Sequence, residues 1–345
     1  MNSLFWFGVS VVASIHEVAK QAGVSVATVS KVINNYSDVS SKTRNKVNKA
    51  IELLNYQPNV VARSLVKKRS WTVGMFLLDF FTNPFISELL DGLRKSLEDS
   101  GYDLLFLSPN LSNPDYTFTK HCISRNVDGV VMFGVDRTNQ NFLDLLQAEM
   151  PTMMIDTDLL GPRTGYVTAD NRRGAYLGVQ HLVELGHKRI AFISGDLGCL
   201  VGQTRFSGYQ EGLRSNDLPY YAKYVEVEEY SIEGGYKAMK RLLQLPEAPS
   251  GVICSSDYMA TGAIEAIREI GKRVPEHISV VGFDNTFYAE LTMPKLTTIN
   301  QNITLMGMKA GEHIIRMIEN PDYSPPTEII PADLVVRDST GQYKE

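Results

Sequence analysis

Between Ile15 and Asn34 the chain reads IHEVAKQAGVSVATVSKVIN, and the glycine in its middle constrains the folding of this segment more than any other residue. Before it, Ile15, Val18, Ala19 and Ala22 recur at the i, i+3, i+4, i+7 spacing of one helix face. Gly23 tolerates the left-handed backbone that stops a helix, and Ser25 stands where it can cap a second one, running from about Val26 to Asn34. Two short helices joined by a tight glycine turn predict a helix-turn-helix. In the second helix Val29, Val32 and Ile33 form the inner stripe, which leaves Val26, Ala27, Thr28, Ser30 and Lys31 outward. Such a hairpin is also a common corner of a helical bundle. A third helix favours a small autonomous module: Ser40 or Ser41 can cap it, Val47, Ala50, Ile51 and Leu54 face inward, and Lys42, Arg44, Lys46 and Lys49 face out.

Charge is distributed unevenly. From Ile15 to Arg69 there are ten Lys/Arg against three Asp/Glu, or +7; the whole-chain totals of 34 and 39 therefore leave 24 against 36 elsewhere, or −12. A basic head on an acidic body is the electrostatic footprint of a nucleic-acid module attached to one that does not meet nucleic acid. At the end of the head, Pro58 suits the first turn of a helix, and Asn59 to Leu65 make two turns, too short to be stable without a partner. Residues 1–14 carry no charge and include Leu4-Phe5-Trp6-Phe7, but lack the basic start of a secretion signal; they are expected to be a disordered extension or to precede the true start. No apolar run of about 18 residues is present, so no membrane span is expected.

From Trp71 onward strands alternate with helices. Thr72–Leu78, Asp103–Ser108, Gly129–Phe133, Thr152–Ile155, Arg189–Ile193, Gly251–Cys254 and Ile278–Phe283 read as buried strands, and Phe85–Ser100 as an amphipathic helix. The expected fold is therefore an all-α head plus an α/β body of two doubly wound parallel-sheet lobes. Ligands of such sheets sit beyond the carboxyl ends of the strands. Asp79, Asp156, Ser194, Asp257 and Asp284 stand there, and Phe85 is a candidate for stacking on a ring. An aspartate in that position is as often a helix cap or a turn former. Three cysteines, Cys122, Cys199 and Cys254, without CxxC spacing, and scattered histidines suggest no disulfide framework and no metal site, which fits a reducing cytoplasm. GxSxG, GxxxxGK[ST] and a strand-borne GxGxxG are absent, so no catalytic residue is assigned.

The run Ile15–Asn34, followed by Val39-Ser40, Thr43-Arg44 and Tyr56-Gln-Pro-Asn-Val-Val-Ala-Arg-Ser-Leu65, resembles the head of the LacI/GalR repressor family. Asn83-Pro-Phe85, Arg205-Phe-Ser-Gly-Tyr209, Ser256-Asp-Tyr-Met-Ala260, Gly282-Phe-Asp-Asn285 and Leu296–Gln301 resemble that family's effector domain, which is similar to periplasmic sugar-binding proteins. The resemblance implies operator bases read by Val26, Ala27 and Lys31, phosphates bound by Thr28 and Ser30, and a hinge helix in which Asn59, Ala62 and Arg63 support Leu65 as a minor-groove wedge. It implies effector contacts from Phe85, Asp156, Arg205, Tyr230, Asp284 and Gln301, with Asp79, Asn83, Asp170, Ser194 and Asp257 ranked second. Three crossovers are expected, near Asp170, Asn300 and Ile330. The domains would be a helix-turn-helix at 15–57, a hinge and linker at 58–69 and a body at 70–345, with one lobe about 70–170 and 301–329 and the other about 171–300 and 330–341. The implied partners are double-stranded operator DNA, a non-covalent small effector, carbohydrate in type, and a second copy of the chain; no cofactor is implied.

Overall fold

The computed structural model describes residues 13–34, 36–57, 69–78, 83–135 and 142–344. They fall into two compact units, one ending at Ser70 and the other beginning at Trp71.

The first unit holds α1 (Ile15–Ala22), α2 (Val26–Ile33) and α3 (Ser41–Leu53). Each starts on a serine whose hydroxyl accepts a backbone N–H of the first turn: Ser14, Ser25 and Ser40. At α1 the cap is reciprocal, since the Ser14 N–H donates to Glu17 Oε2 at 2.7 Å while Glu17 N–H donates to Ser14 Oγ at 3.3 Å. Ser14 is therefore part of the folded head. The sequence reading placed it in the preceding extension, although its Ser-x-x-Glu spacing was legible; residues 1–12 lie outside the described residues. Gly23 closes α1 at φ +65°. Val18, Ala19 and Ala22 meet Val29 and Val32 of α2 and Val47 and Ala50 of α3 in one small core.

The second unit contains two six-stranded sheets. The first has the order β11-β5-β4-β3-β1-β2, with β1 (Thr72–Leu77), β2 (Asp103–Phe106), β3 (Gly129–Phe133), β4 (Thr152–Ile155), β5 (Thr164–Ala169) and β11 (Thr327–Ile330). The second is β12-β10-β9-β8-β6-β7, with β6 (Ile190–Ser194), β7 (Val225–Val227), β8 (Gly251–Cys254), β9 (Ser279–Asp284), β10 (Thr297–Asn300) and β12 (Asp333–Val335). Neighbouring strands are parallel except β10 and β12, which are antiparallel. The chain enters β12 from the other sheet through Pro331 and Ala332 alone, with no crossover helix to bring it in parallel.

In the first lobe α4 (Pro84–Asp99) and α12 (Ile303–Glu319) cover one sheet face over Val73, Met75, Val131 and Met153, while Phe76, Phe118, Met132 and Met154 fill the other. The two helices approach so closely that a Cβ on Gly92 would lie 2.0 Å from Thr304 O, and one on Gly307 would lie 2.1 Å from Leu89 O. In the second lobe α9 (Ile232–Leu243) and α10 (Asp257–Glu269) cover one face, and α7 (Asn171–Glu184) and α8 (Leu200–Ser215) cover the other.

The chain passes between the lobes three times: after β5 at Asp170, after β10 at Gln301 and Asn302, and from β11 to β12. The crossings are bonded to one another, with Asp170 N–H donating to Ile330 O at 2.8 Å and Asn302 Nδ2 to Pro331 O at 3.0 Å.

Candidate functional site

On the head, the outward face of α2 is made of small and polar residues apart from Val26, which packs partly against the core. Ala27 and Lys31 are exposed, and Val26, Thr28 and Ser30 are half-buried. Thr28 Oγ1 lies 2.9 Å from the capping Ser25 Oγ, and Ser30, in the middle of α2, accepts from Asn34 Nδ2 at 2.8 Å through its carbonyl oxygen. Lys31 Nζ meets Asp38 Oδ2 at 2.5 Å. Lys42, Lys46 and Lys49 stand exposed on α3. Asn59, Ala62, Arg63 and Leu65 lie outside the described residues, as does Asp79.

In the body a cleft of about 360 Å³ opens between the lobes, lined by residues that follow the strands of both sheets. Asp156, directly after β4, takes φ +55°, and Thr168 Oγ1 donates to its Oδ1 at 2.6 Å. Asp284, the last residue of β9, takes φ +113° and accepts from Gln301 Nε2 at 2.5 Å. Burial raises both carboxyls, Asp284 well above the ordinary range, partly offset by Arg205 nearby. Two non-glycine residues at positive φ, both ending strands at the cleft, are the kind of backbone strain that a binding site retains.

Arg205, on α8, is fixed on three sides. Its Nε donates to Asn171 Oδ1 at 2.7 Å, its Nη1 donates to Ser255 O, and its guanidinium lies 3.7 Å from the centroid of the Phe283 ring. Nη1 stands 3.8 Å from Asp284 Oδ1, too far for a hydrogen bond. Among the described residues, Arg205 Nη2 and Asp284 Oδ2 thus have no hydrogen-bond partner, on residues that line the cleft. The walls are aromatic. Phe85 stacks on Phe133 with centroids 5.4 Å apart and 24° between planes. Tyr230 lies across Gly195, where a Cβ would fall 1.9 Å from its ring, and desolvation raises its phenol although the residue as a whole stays 37% exposed.

The cleft therefore gathers Phe85, Asp156, Arg205, Tyr230 and Asp284, with Asn83 and Asp257 beside them. Asn83 caps α4 by accepting from Phe85 N–H at 3.1 Å. Both Asp257 oxygens are already engaged: Oδ1 accepts from Thr298 Oγ1 at 2.6 Å, and Oδ2 from the Thr286 N–H at 2.8 Å and hydroxyl at 3.1 Å. Burial raises this carboxyl too, against those donors. Gln301 is fully buried behind Asp284 and does not line the cleft; among the described residues its Oε1 has no hydrogen-bond partner. Asp170 caps α7 at the first crossing, accepting from Arg173 N–H at 3.0 Å, and Ser194 is buried as the last residue of β6 with its hydroxyl 3.4 Å from that of Ser255. Neither lines the cleft. Asn171, Phe283, Thr168 and Phe133, which bond to or stack on Arg205, Asp156 and Phe85, were not singled out from sequence. Each adjoins or pairs with a residue that was, and only the fold shows the pairing.

Among the described residues no helix is long and apolar enough to cross a membrane. A capped three-helix head with an exposed basic face, in one chain with a two-lobed body around a polar-floored cleft, defines the class of DNA-binding regulators that carry an effector-type body. The sequence model for bacterial regulatory proteins of the lacI family matches residues 14–59, and that for a periplasmic binding protein-like domain matches residues 179–340. The HTH-type transcriptional repressor PurR of Mannheimia succiniciproducens is 34% identical over 331 residues, covering 95% of this chain and 98% of the relative. PurR of Vibrio atlanticus is 34% identical over 320 residues, covering 90% and 93%. Among solved structures, the Lac repressor dimer bound to operator and the anti-inducer ONPF superposes with a TM-score of 0.81 at 28% identity, over 96% of this chain and 99% of that one. The CelR–cellobiose complex gives 0.73 at 30%, over 95% and 99%. The chain belongs to the lacI family of bacterial regulatory proteins.

Proposed function

We propose that the chain is a cytoplasmic repressor that binds a near-palindromic operator as a homodimer and is controlled by a small neutral effector, a sugar or sugar derivative, held in the cleft. The carrying observation is the unbonded pair of Arg205 Nη2 and Asp284 Oδ2 on a buried polar floor. A donor and an acceptor so placed suit adjacent hydroxyls, each able to donate and accept. Among the described lining residues Arg205 is the single cation, beside Asp156, Asp196, Asp257 and Asp284; burial raises three of these acids, so they are neutral or negative but never positive, which disfavours an anionic effector such as a sugar phosphate. Phe85, stacked on Phe133, offers a flat apolar face to a pyranose ring. The related CelR structure was solved with cellobiose. A planar nitrogenous base is a second reading, favoured by the same aromatic pair and by kinship with repressors named PurR.

On the head, Val26, Ala27 and Lys31 are assigned to base edges and Thr28 and Ser30 to phosphates. Asn59, Ala62, Arg63 and Leu65 are assigned to a hinge, residues 58–69, that meets its dimer mate in the minor groove. The exposed apolar residues Phe287, Leu291 and Met293 on and beside α11 (Tyr288–Leu291), 53%, 70% and 77% exposed, support a dimer surface on the body. The test is selection of genomic DNA by the purified protein, repeated with neutral sugars, sugar phosphates and purine bases. Enriched palindromes released or retained by a neutral sugar are expected; recovery of random DNA would overturn the repressor assignment, and a response to purines alone would replace the sugar.

A further inference from the structure

Lys31 does not reach freely into solvent. Its Nζ is held by Asp38, 2.5 Å away, although both side chains remain about half exposed, at 49% and 54%. Lys42, Lys46 and Lys49 on α3 are exposed too, yet none pairs with a carboxylate of the described residues. The Lys31–Asp38 contact is prepared by the backbone. Tyr36 N–H donates to Lys31 O at 3.0 Å, and Arg44 clamps the α2–α3 connection by donating to Tyr36 O at 2.8 Å and to Val32 O at 3.4 Å. The connection therefore delivers Asp38 beside the outer face of α2. The Lys31 ammonium holds the Asp38 carboxyl below its ordinary range.

Indiscriminate DNA binding is driven by cations settling on phosphates and releasing counterions. A lysine that already carries a carboxylate adds almost no net charge to that process. At a cognate site the guanine O6 and N7 acceptors can replace the carboxylate, and the exposed pair is open to exchange. We propose that Asp38 is a specificity-determining residue: it screens Lys31 from phosphates and yields it to a base acceptor, lowering non-operator binding more than operator binding. This rests on α2 being the helix that enters the groove.

The experiment is a double-mutant cycle on the full-length protein with Asp38→Asn, Lys31→Met and the double variant. Binding is measured across a salt series to an operator duplex recovered by genomic selection and to a random-sequence duplex of equal length. Asp38→Asn is expected to tighten random-duplex binding by roughly 3- to 10-fold at low salt and to steepen its log–log salt slope by about 0.9, the increment for one added phosphate contact. Operator affinity should change less, so discrimination falls. In the Lys31→Met background the same substitution should change either affinity by less than about twofold. Because an amide can still bond Lys31, Asp38→Ala repeats the cycle. Equal effects of the Asp38 variants in both backgrounds, or unchanged random-duplex binding, would overturn the screening role. Failure of the wild-type protein to select any operator would instead discard α2 as the reading helix.

Discussion

Arg205 carries little freedom and much of the cleft's polarity. Its guanidinium is bonded to Asn171 and Ser255 and stacked on Phe283, so it presents its remaining edge already oriented. Lysine can reproduce the charge but neither the fork nor the stack. Arg205→Lys is expected to weaken effector binding by at least about tenfold while operator binding persists; calorimetry and gel retardation read the two arms. For Asp284→Asn a loss of about 10- to 100-fold is expected, the range of a hydrogen bond to a charged group. Proton linkage supplies a further check. Asp156 and Asp284 have raised carboxyls in the fold, so above about pH 4 the empty body holds protons that the unfolded chain has released. Its stability therefore falls as pH rises through that elevated range. A hydroxyl-bearing effector bonds best to the ionised form, so its affinity should rise across the same window with proton release, which appears as a buffer-dependent binding heat. Absence of release would mean that the effector leaves the protonation of both acids unchanged, and would remove ionised Asp284 as the hydroxyl acceptor.

Among the elements, apolar runs made most interior strands legible: β3, β4 and β8 lie where the sequence placed them, whereas interior β10, Thr-Thr-Ile-Asn, carries no such run and was not read as a strand. The edge strands β7, β11 and β12 are short and partly exposed, and β5 contains Thr-Gly-Tyr in place of a run, so none stood out. The site was legible in a similar way. Asp156 and Asp284 follow strands and reach the cleft, but Ser194 and Asp170 also end strands and do not, because strand ends are local whereas a cleft is formed by two lobes. The α4–α12 contact was not readable at all, since Gly92 and Gly307 acquire meaning only once paired. A methyl on Gly92 would meet the backbone oxygen of Thr304, which cannot rotate away. Gly92→Ala is expected to cost about 1–3 kcal/mol, seen as a lower denaturation midpoint of the body. An unchanged midpoint would mean that the two helices separate at little cost.

At the scale of the whole molecule, control requires that effector and operator each favour one of two states of the protein. The coupling is expected to be about 1–3 kcal/mol, a 5- to 150-fold change in operator affinity at saturating effector. Reciprocity makes this testable from the other side: effector affinity measured on the operator-bound protein must change by the same factor. Leu65→Ala should weaken operator binding and leave effector binding to the free protein intact; equal operator affinity would remove Leu65 as the wedge.

The three crossings also impose an order on synthesis. The head's core can close before that of the body, since α1, α2 and α3 are contiguous and precede β1 in the chain. The first lobe begins immediately afterwards with β1 and α4, yet its covering helix α12 and edge strand β11 come from residues 303–330. Gly92 must wait for Gly307, and Asp284 for Gln301, until most of the second lobe has been translated. A nascent chain thus holds all three helices of the head for a long interval before the cleft exists, and the two lobes reach completion almost together.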